Sequence, residues 1–323
     1  MNILLTGVAG FIGSNLLNTL LKKGHFVVGL DNFNEFYNPR IKRFNVEGYL
    51  KNDNFVLVEG DITNEDFLSN LFSGWGIDSI VHLAAWAGVT TSFKKPILYG
   101  NTNLMGTLNL LEMARNYGIY DVVLASSSSV YGNCEKVPFK ETFGVSRPIS
   151  VYAATKKCDE VIAYTYSYQF GTNISCLRFF NAFGPRQRPD MAGISFIRKI
   201  YNGNTLPIYQ DLDLTSRDYT YIDDICWGIN AALENRFDYE IFNLGNSEPI
   251  TLGELITTTE EVVGKKAKIK FMPVRRGEVT RTFADISKAK KLLGYVPKTS
   301  FREGIQKTYE WFLSTPQWYK DLP

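Results

Sequence analysis

Only two histidines and four cysteines occur in 323 residues. The cysteines (Cys134, Cys158, Cys176 and Cys226) fall at no spacing used by metal ligands or redox pairs, so neither a zinc centre nor a disulfide framework is expected. They read as reduced, mostly buried thiols. An excess of one charge is also missing. With 35 basic and 33 acidic residues the formal net charge is +2, and basic pairs such as Lys94-Lys95 and Lys265-Lys266 are too short for a nucleic-acid surface. No apolar run reaches membrane-spanning length. No secretory signal is visible either: the stretch from Met1 to Thr6 runs straight into a glycine turn and reads as a strand, so the expected compartment is the cytoplasm.

What is present is an alternation. Residues 3–6, 26–30, 55–58, 79–83 and 122–125 are short apolar runs of strand character, separated by helix-like stretches near 12–23, 66–72 and 101–117. A helix over 151–170 and a sixth strand near 174–178 continue the series. This rhythm predicts an α/β fold with a doubly wound parallel sheet, because right-handed strand–helix–strand connections place helices on both faces. Beyond Phe180 the rhythm breaks at Gly184-Pro185, Arg188-Pro189 and Asn202-Gly203. Helical patterns near 252–263 and 287–293 suggest a smaller C-terminal α/β domain. The expected organisation is a sheet domain over 1–180, rejoined by about 216–248, with a second domain from 181–215 and 249–323.

Gly7-Val8-Ala9-Gly10-Phe11-Ile12-Gly13 directly follows the first strand and opens the first helix. Glycines there let the backbone turn tightly and approach a pyrophosphate at the positive end of the helix. With 26 glycines the bare pattern is weak, and its place between strand and helix gives it weight. Asp31 closes the second strand, where a carboxylate accepts ribose hydroxyls and repels a 2′-phosphate; this favours NAD over NADP. Asp61 closes the third strand and is a candidate adenine contact, with a plain turn aspartate as the alternative.

Tyr152 and Lys156 stand four apart on the helix over 151–170 and share a face. Among 18 tyrosines one such pair is expected by chance, so its meaning comes from Ser126-Ser127-Ser128-Ser129 at the end of the fifth strand, facing the cofactor crevice. Hydroxyls there beside a Tyr/Lys helix form a candidate hydride-transfer site. A free tyrosine has a pKa of about 10, and bringing it to about 7 takes roughly 4 kcal/mol, for which Lys156 and a positive nicotinamide are the natural sources.

Together with His82-Leu83-Ala84-Ala85, Arg178-Phe179-Phe180-Asn181 and the stretch from Arg217 to Asp224, these residues resemble the extended short-chain dehydrogenase/reductase family over essentially the whole chain. The resemblance implies a Rossmann sheet holding NAD, a UDP-sugar substrate and a homodimer. It implies Ser127, Tyr152 and Lys156 as catalytic residues. Cofactor contacts would come from Gly7, Gly10, Phe11, Ile12, Gly13, Asp31, Asn32, Asp61, Ile62, Leu83, Ala84, Ala85, Tyr152 and Lys156. Substrate contacts would come from Ser128, Ser129, Asn181, Arg188, Arg217 and Arg275, the last two on the diphosphate. Related sugar dehydratases and decarboxylases carry acidic residues just after the catalytic hydroxyl. Here those positions are Ser128 and Ser129, which cannot act as carboxylate bases, so the resemblance implies a 4-epimerase.

The insertion from Asp31 to Arg43 and the run from Gly184 to Ala192 are similar to the UDP-glucuronate 4-epimerase branch, with Arg188 as partner of a C6 carboxylate. Asn181 departs from that branch, which usually has Thr there, and Thr282 is small where neutral-hexose enzymes limit space. UDP-glucose or UDP-N-acetylglucosamine 4-epimerisation therefore stays open, as does a nucleotide-sugar dehydrogenase or reductase.

Overall fold

The apolar runs form β1 (Asn2–Thr6), β2 (Phe26–Asp31), β3 (Phe55–Glu59), β4 (Ser79–His82), β5 (Asp121–Ser127) and β6 (Asn173–Phe179). Later strands are β7 (Asn181–Phe183), β8 (Thr205–Ile208), β9 (Ser216–Tyr221), β10 (Tyr239–Leu244), β11 (Pro249–Thr251) and β12 (Lys268–Phe271). This computed structural model describes residues 1–273 and 279–322. The main sheet has seven strands in the order β3-β2-β1-β4-β5-β6-β10, all parallel. Chain direction across the sheet reverses between β1 and β4, which opens a crevice at their carboxyl ends.

Both faces of the sheet are covered, which is why its central strands read as continuous apolar runs. Leu16, Leu17 and Leu20 of the helix Phe11–Lys22 and Ile225 and Ile229 of the helix Ile222–Glu234 belong to one buried cluster. Leu68, Leu71 and Phe72 belong to the other with Leu110, Leu111 and Ala163. β7, β9 and β11 form a second sheet, and β8 pairs with β12. Among the described residues no helix is long and apolar enough to cross a membrane.

The structure differs from the sequence reading in two places that shape the crevice. The single helix expected over 101–117 is a π-helical turn, Gly100–Met105, followed by the α-helix Gly106–Asn116. The wide turn aims Asn103 inward. Its Oδ1 accepts from the Trp86 N–H at 2.8 Å, and its Nδ2 donates to the Trp86 carbonyl at 3.0 Å and to Thr155 Oγ1 at 3.1 Å. The segment expected to rejoin the sheet domain contributes a strand to each of the two sheets. Tyr239–Leu244 becomes the seventh strand of the main sheet, whereas Ser216–Tyr221 pairs with β7 and β11 in the second sheet. Buried Asp218 holds β9 there by accepting the backbone N–H groups of Asn246, Ser247 and Ala284 at 2.7–3.0 Å.

Candidate active site

The glycine turn sits where β1 meets the helix Phe11–Lys22. Gly7 has φ +70, and a Cβ on it would lie 2.8 Å from the Ala84 nitrogen. A Cβ on Gly13 would fall 2.1 Å from the Gly7 carbonyl oxygen. The N-cap residue Gly10 makes no side-chain cap bond, so the first N–H groups of the helix face the crevice without a protein cap. Gly13→Ala must therefore displace backbone. The expected cost is about 1–3 kcal/mol, with loss of bound dinucleotide, read by thermal melting and by the cofactor content of purified protein. A variant with wild-type melting and cofactor content would contradict this close approach.

Asp31 closes the crevice on the β2 side. Its carboxylate accepts the Ala9 and Phe33 N–H groups at 3.0 and 2.9 Å. Burial pushes it above the usual carboxylate range, opposed by the Lys42 charge and these two donors. Asp61 does not line the cavity. Its Oδ2 accepts from Asn32 Nδ2 at 2.7 Å and its Oδ1 accepts from the Thr63 N–H and hydroxyl, so it fixes Asn32 from behind. Burial pushes Asp61 up, but those donors together pull it below the ordinary value.

At the other end, Ser127 terminates β5 and caps the short 3₁₀ turn Ser128–Tyr131. It accepts the Ser129 N–H and donates to Ser129 Oγ, both at 3.1 Å. Ser150 starts the helix Val151–Phe170 by accepting the Ala153 N–H at 3.1 Å, which places Tyr152 in the first turn. Lys156 follows one turn later, 3% exposed. Behind it, His82 is fully buried between Thr6 and Thr107, and burial lowers its pKa to about 3, so the imidazole is neutral.

One cavity of about 400 Å³ joins these ends. Gly7, Gly10, Phe11, Ile12, Gly13, Asp31, Asn32, Ile62, Leu83, Ala84 and Ala85 line it, together with Ser127, Ser128, Ser129, Tyr152, Lys156, Asn181 and Arg188. A second cavity of about 820 Å³ shares Ser128, Ser129 and Asn181 as wall residues and contains Arg217 and Thr282. Thr282 Oγ1 donates to Asn181 Oδ1 at 3.1 Å, tying the two cavities together. Arg217 donates to the carbonyls of Ser216, Val279 and Thr280 and to Gln210 Oε1. Arg275 lies outside the described residues.

Arg188 is forked onto Asp190, with Nε to Oδ1 at 3.0 Å and Nη2 to Oδ2 at 2.8 Å, and its guanidinium lies 4.7 Å from the centre of the Phe36 ring. Lys42 is a wall residue that motif reading did not single out. It lies on the buried face of the helix Pro39–Glu47, donates to Asn34 Oδ1 at 2.9 Å, and has its pKa lowered by burial against the pull of Asp31. Its signal in sequence is a lysine among the inward positions Ile41, Asn45 and Val46 of an amphipathic helix.

A glycine turn at the switch point of a parallel sheet, sharing one cavity with a Ser/Tyr/Lys set, defines a Rossmann-type enzyme of the extended short-chain dehydrogenase/reductase class. Residues 4–308 match the GDP-mannose 4,6 dehydratase family, and the chain belongs to it. It is 43% identical over 309 residues, 95% of each chain, to the UDP-glucuronate 4-epimerase of Thermodesulfobacterium geofontis. The UDP-glucuronic acid 4-epimerase of Bacillus cereus, crystallised with UDP-glucuronic acid and NAD, superposes with a TM-score of 0.91 at 37% identity, over 97% of this chain and 99% of that one. The UDP-glucose 4-epimerase of Thermotoga maritima, crystallised with UDP-glucose, superposes with a TM-score of 0.89 at 33% identity, over 97% and 99%.

Proposed function

We propose that the chain is an NAD-dependent 4-epimerase of UDP-sugars, with UDP-glucuronate and UDP-galacturonate as its pair of substrates. The observation that carries the reading is the single cavity in which the glycine turn and Asp31 lie at one end and Ser127, Tyr152, Lys156 and Arg188 at the other. The residues fit the dinucleotide: the turn leaves room only for glycine, and Asp31 favours ribose hydroxyls over a 2′-phosphate. When bound, NAD supplies a reversible two-electron oxidant for the sugar C4.

The chain's own groups supply the rest. Tyr152 takes the proton from the C4 hydroxyl and later returns one to the C4 oxygen. Ser127 holds that oxygen in line, and the Lys156 ammonium ion favours the phenolate. Ser128 and Ser129 offer no carboxylate to drive elimination or decarboxylation, so the ketone is retained for reduction on its other face. Arg188 pairs with the C6 carboxylate. Arg217 holds the diphosphate in the second cavity. Conversion of the keto sugar in place accounts for a site that joins cofactor and sugar in one enclosure.

The sequence similarity of both the uronate and the neutral-hexose enzymes makes substrate choice the point to test. Purified protein without added cofactor is given UDP-glucuronate, UDP-glucose or UDP-N-acetylglucosamine, and products are resolved by NMR. The expected outcome is UDP-galacturonate as the dominant product; dependence on added NAD with stoichiometric reduction of it would instead establish a dehydrogenase.

The expected assembly is a cytoplasmic homodimer. Val161, Tyr164 and Tyr168 form an exposed apolar stripe on the helix Val151–Phe170, and Ile97 and Met105 are exposed on segments packed against the same helix. Light scattering at twice the 36.6 kDa chain mass would support this, and a monomer at micromolar concentration would refute it.

A further inference from the structure

Asp159 occupies a place that helix packing does not require. It follows Lys156 by three residues, and Lys156 Nζ donates to its Oδ2 at 3.1 Å, with both side chains 4% exposed. The groups around the pair come from several elements. Thr107 from the helix Gly106–Asn116 faces Asp159, neutral His82 from β4 faces Lys156, and the neutral thiol of Cys176 from β6 lies behind. Adjacent Glu160 is already engaged by Arg178, Ser126 and Lys157. No other charge balances the Lys156–Asp159 pair among these neighbours. A carboxylate sunk in such surroundings is costly to ionise: burial raises Asp159 to about 6, against the attraction of Lys156.

We infer that Asp159 is a positioning residue that tethers the Lys156 ammonium ion and thereby sets the pH at which Tyr152 becomes the acting base. The inference rests on the roles given to Tyr152 and Lys156 above. The Arg188 cation and the neutral Tyr99 phenol also face Tyr152, but of the three only Lys156 carries a charge that Asp159 can offset. It draws the proton from the phenol through its field, and an ionised carboxylate on the same nitrogen cancels part of that field. Above about pH 6 the pair is neutral as a whole; below it, Lys156 acts with its full charge.

The test is the pH dependence of kcat/KM for Asp159→Asn, read beside an ultraviolet titration of the phenolate absorbance in the NAD-loaded protein. Tyr152→Phe identifies which part of that absorbance belongs to the active-site phenol. Wild type and Asp159→Asn should coincide below about pH 6, where Asp159 is already protonated. Above it the variant should reach its plateau, in rate and absorbance, about one pH unit earlier. Asp159→Glu, which keeps the charge, should restore the wild-type curve. Should Asp159→Asn fold poorly, Asp159→Ala removes the same charge and must show the same displacement. A uniform loss at all pH values, or a displacement toward higher pH, would overturn the inference. Full activity in Tyr152→Phe would instead bring down the catalytic assignment itself, so the two failures are distinguishable.

Discussion

Tyr152→Phe lowers turnover of UDP-glucuronate by about 10³-fold or more and leaves NAD bound. The substitution removes one oxygen from the cavity wall and keeps the ring, whose centroid lies 6.3 Å from that of Tyr99 in an edge-on contact. The glycine turn, Asp31 and Lys156 are untouched, so the cofactor site is preserved. What disappears is the hydroxyl that this helix presents to the cavity beside Lys156, the expected route for a proton to and from the C4 oxygen. Rates are measured by NMR on protein whose NAD content is determined after denaturation. Near-normal turnover with bound NAD would remove Tyr152 from the chemistry.

Arg188→Ala separates uronate from neutral hexose. The guanidinium lies over the Phe36 ring and is forked onto Asp190, so it is already oriented in the cavity wall where a C6 carboxylate is expected to meet it. A charge-assisted hydrogen bond to a partly buried carboxylate contributes about 1.5–3 kcal/mol, which corresponds to a loss of roughly 10- to 150-fold in kcat/KM for UDP-glucuronate. UDP-glucose has no carboxylate at C6 and should lose only a few-fold. Equal losses on both substrates would mean that Arg188 supports the cavity without reading the carboxylate.

The main sheet was legible in the sequence because the centre of a parallel sheet covered on both faces is apolar, and runs such as Ile3-Leu4-Leu5, Val27-Val28 and Val122-Val123-Leu124 mark it. The glycine turn and the Tyr152/Lys156 spacing were legible for a local reason: each is fixed by the geometry of a single turn or a single helix. Pairing partners are not local. Nothing in Ser216–Tyr221 itself reveals that Asp218 anchors it beside β7, since the donors come from Asn246, Ser247 and Ala284. The π-helical turn at Gly100–Met105 stays hidden because six residues are little more than one turn, too short to show a period of their own. Lys42 and Asp159 escaped for a shared reason. A charged residue on an amphipathic helix, or a Lys and Asp three apart, ordinarily marks a solvated face, and only the packing of neighbouring elements turns both inward. The strand-end position of Asp61 leaves an adenine contact and a plain turn aspartate open, and in the structure its carboxylate accepts from Asn32 and Thr63.

The central claim is that C4 loses and regains the same hydrogen within one enclosed site. UDP-glucuronate carrying deuterium at C4, converted by the purified protein in ordinary water, tests it directly. The account predicts UDP-galacturonate with deuterium still on C4 and none released to solvent. Product with protium at C4, or a sugar that has lost its carboxyl carbon, would contradict it.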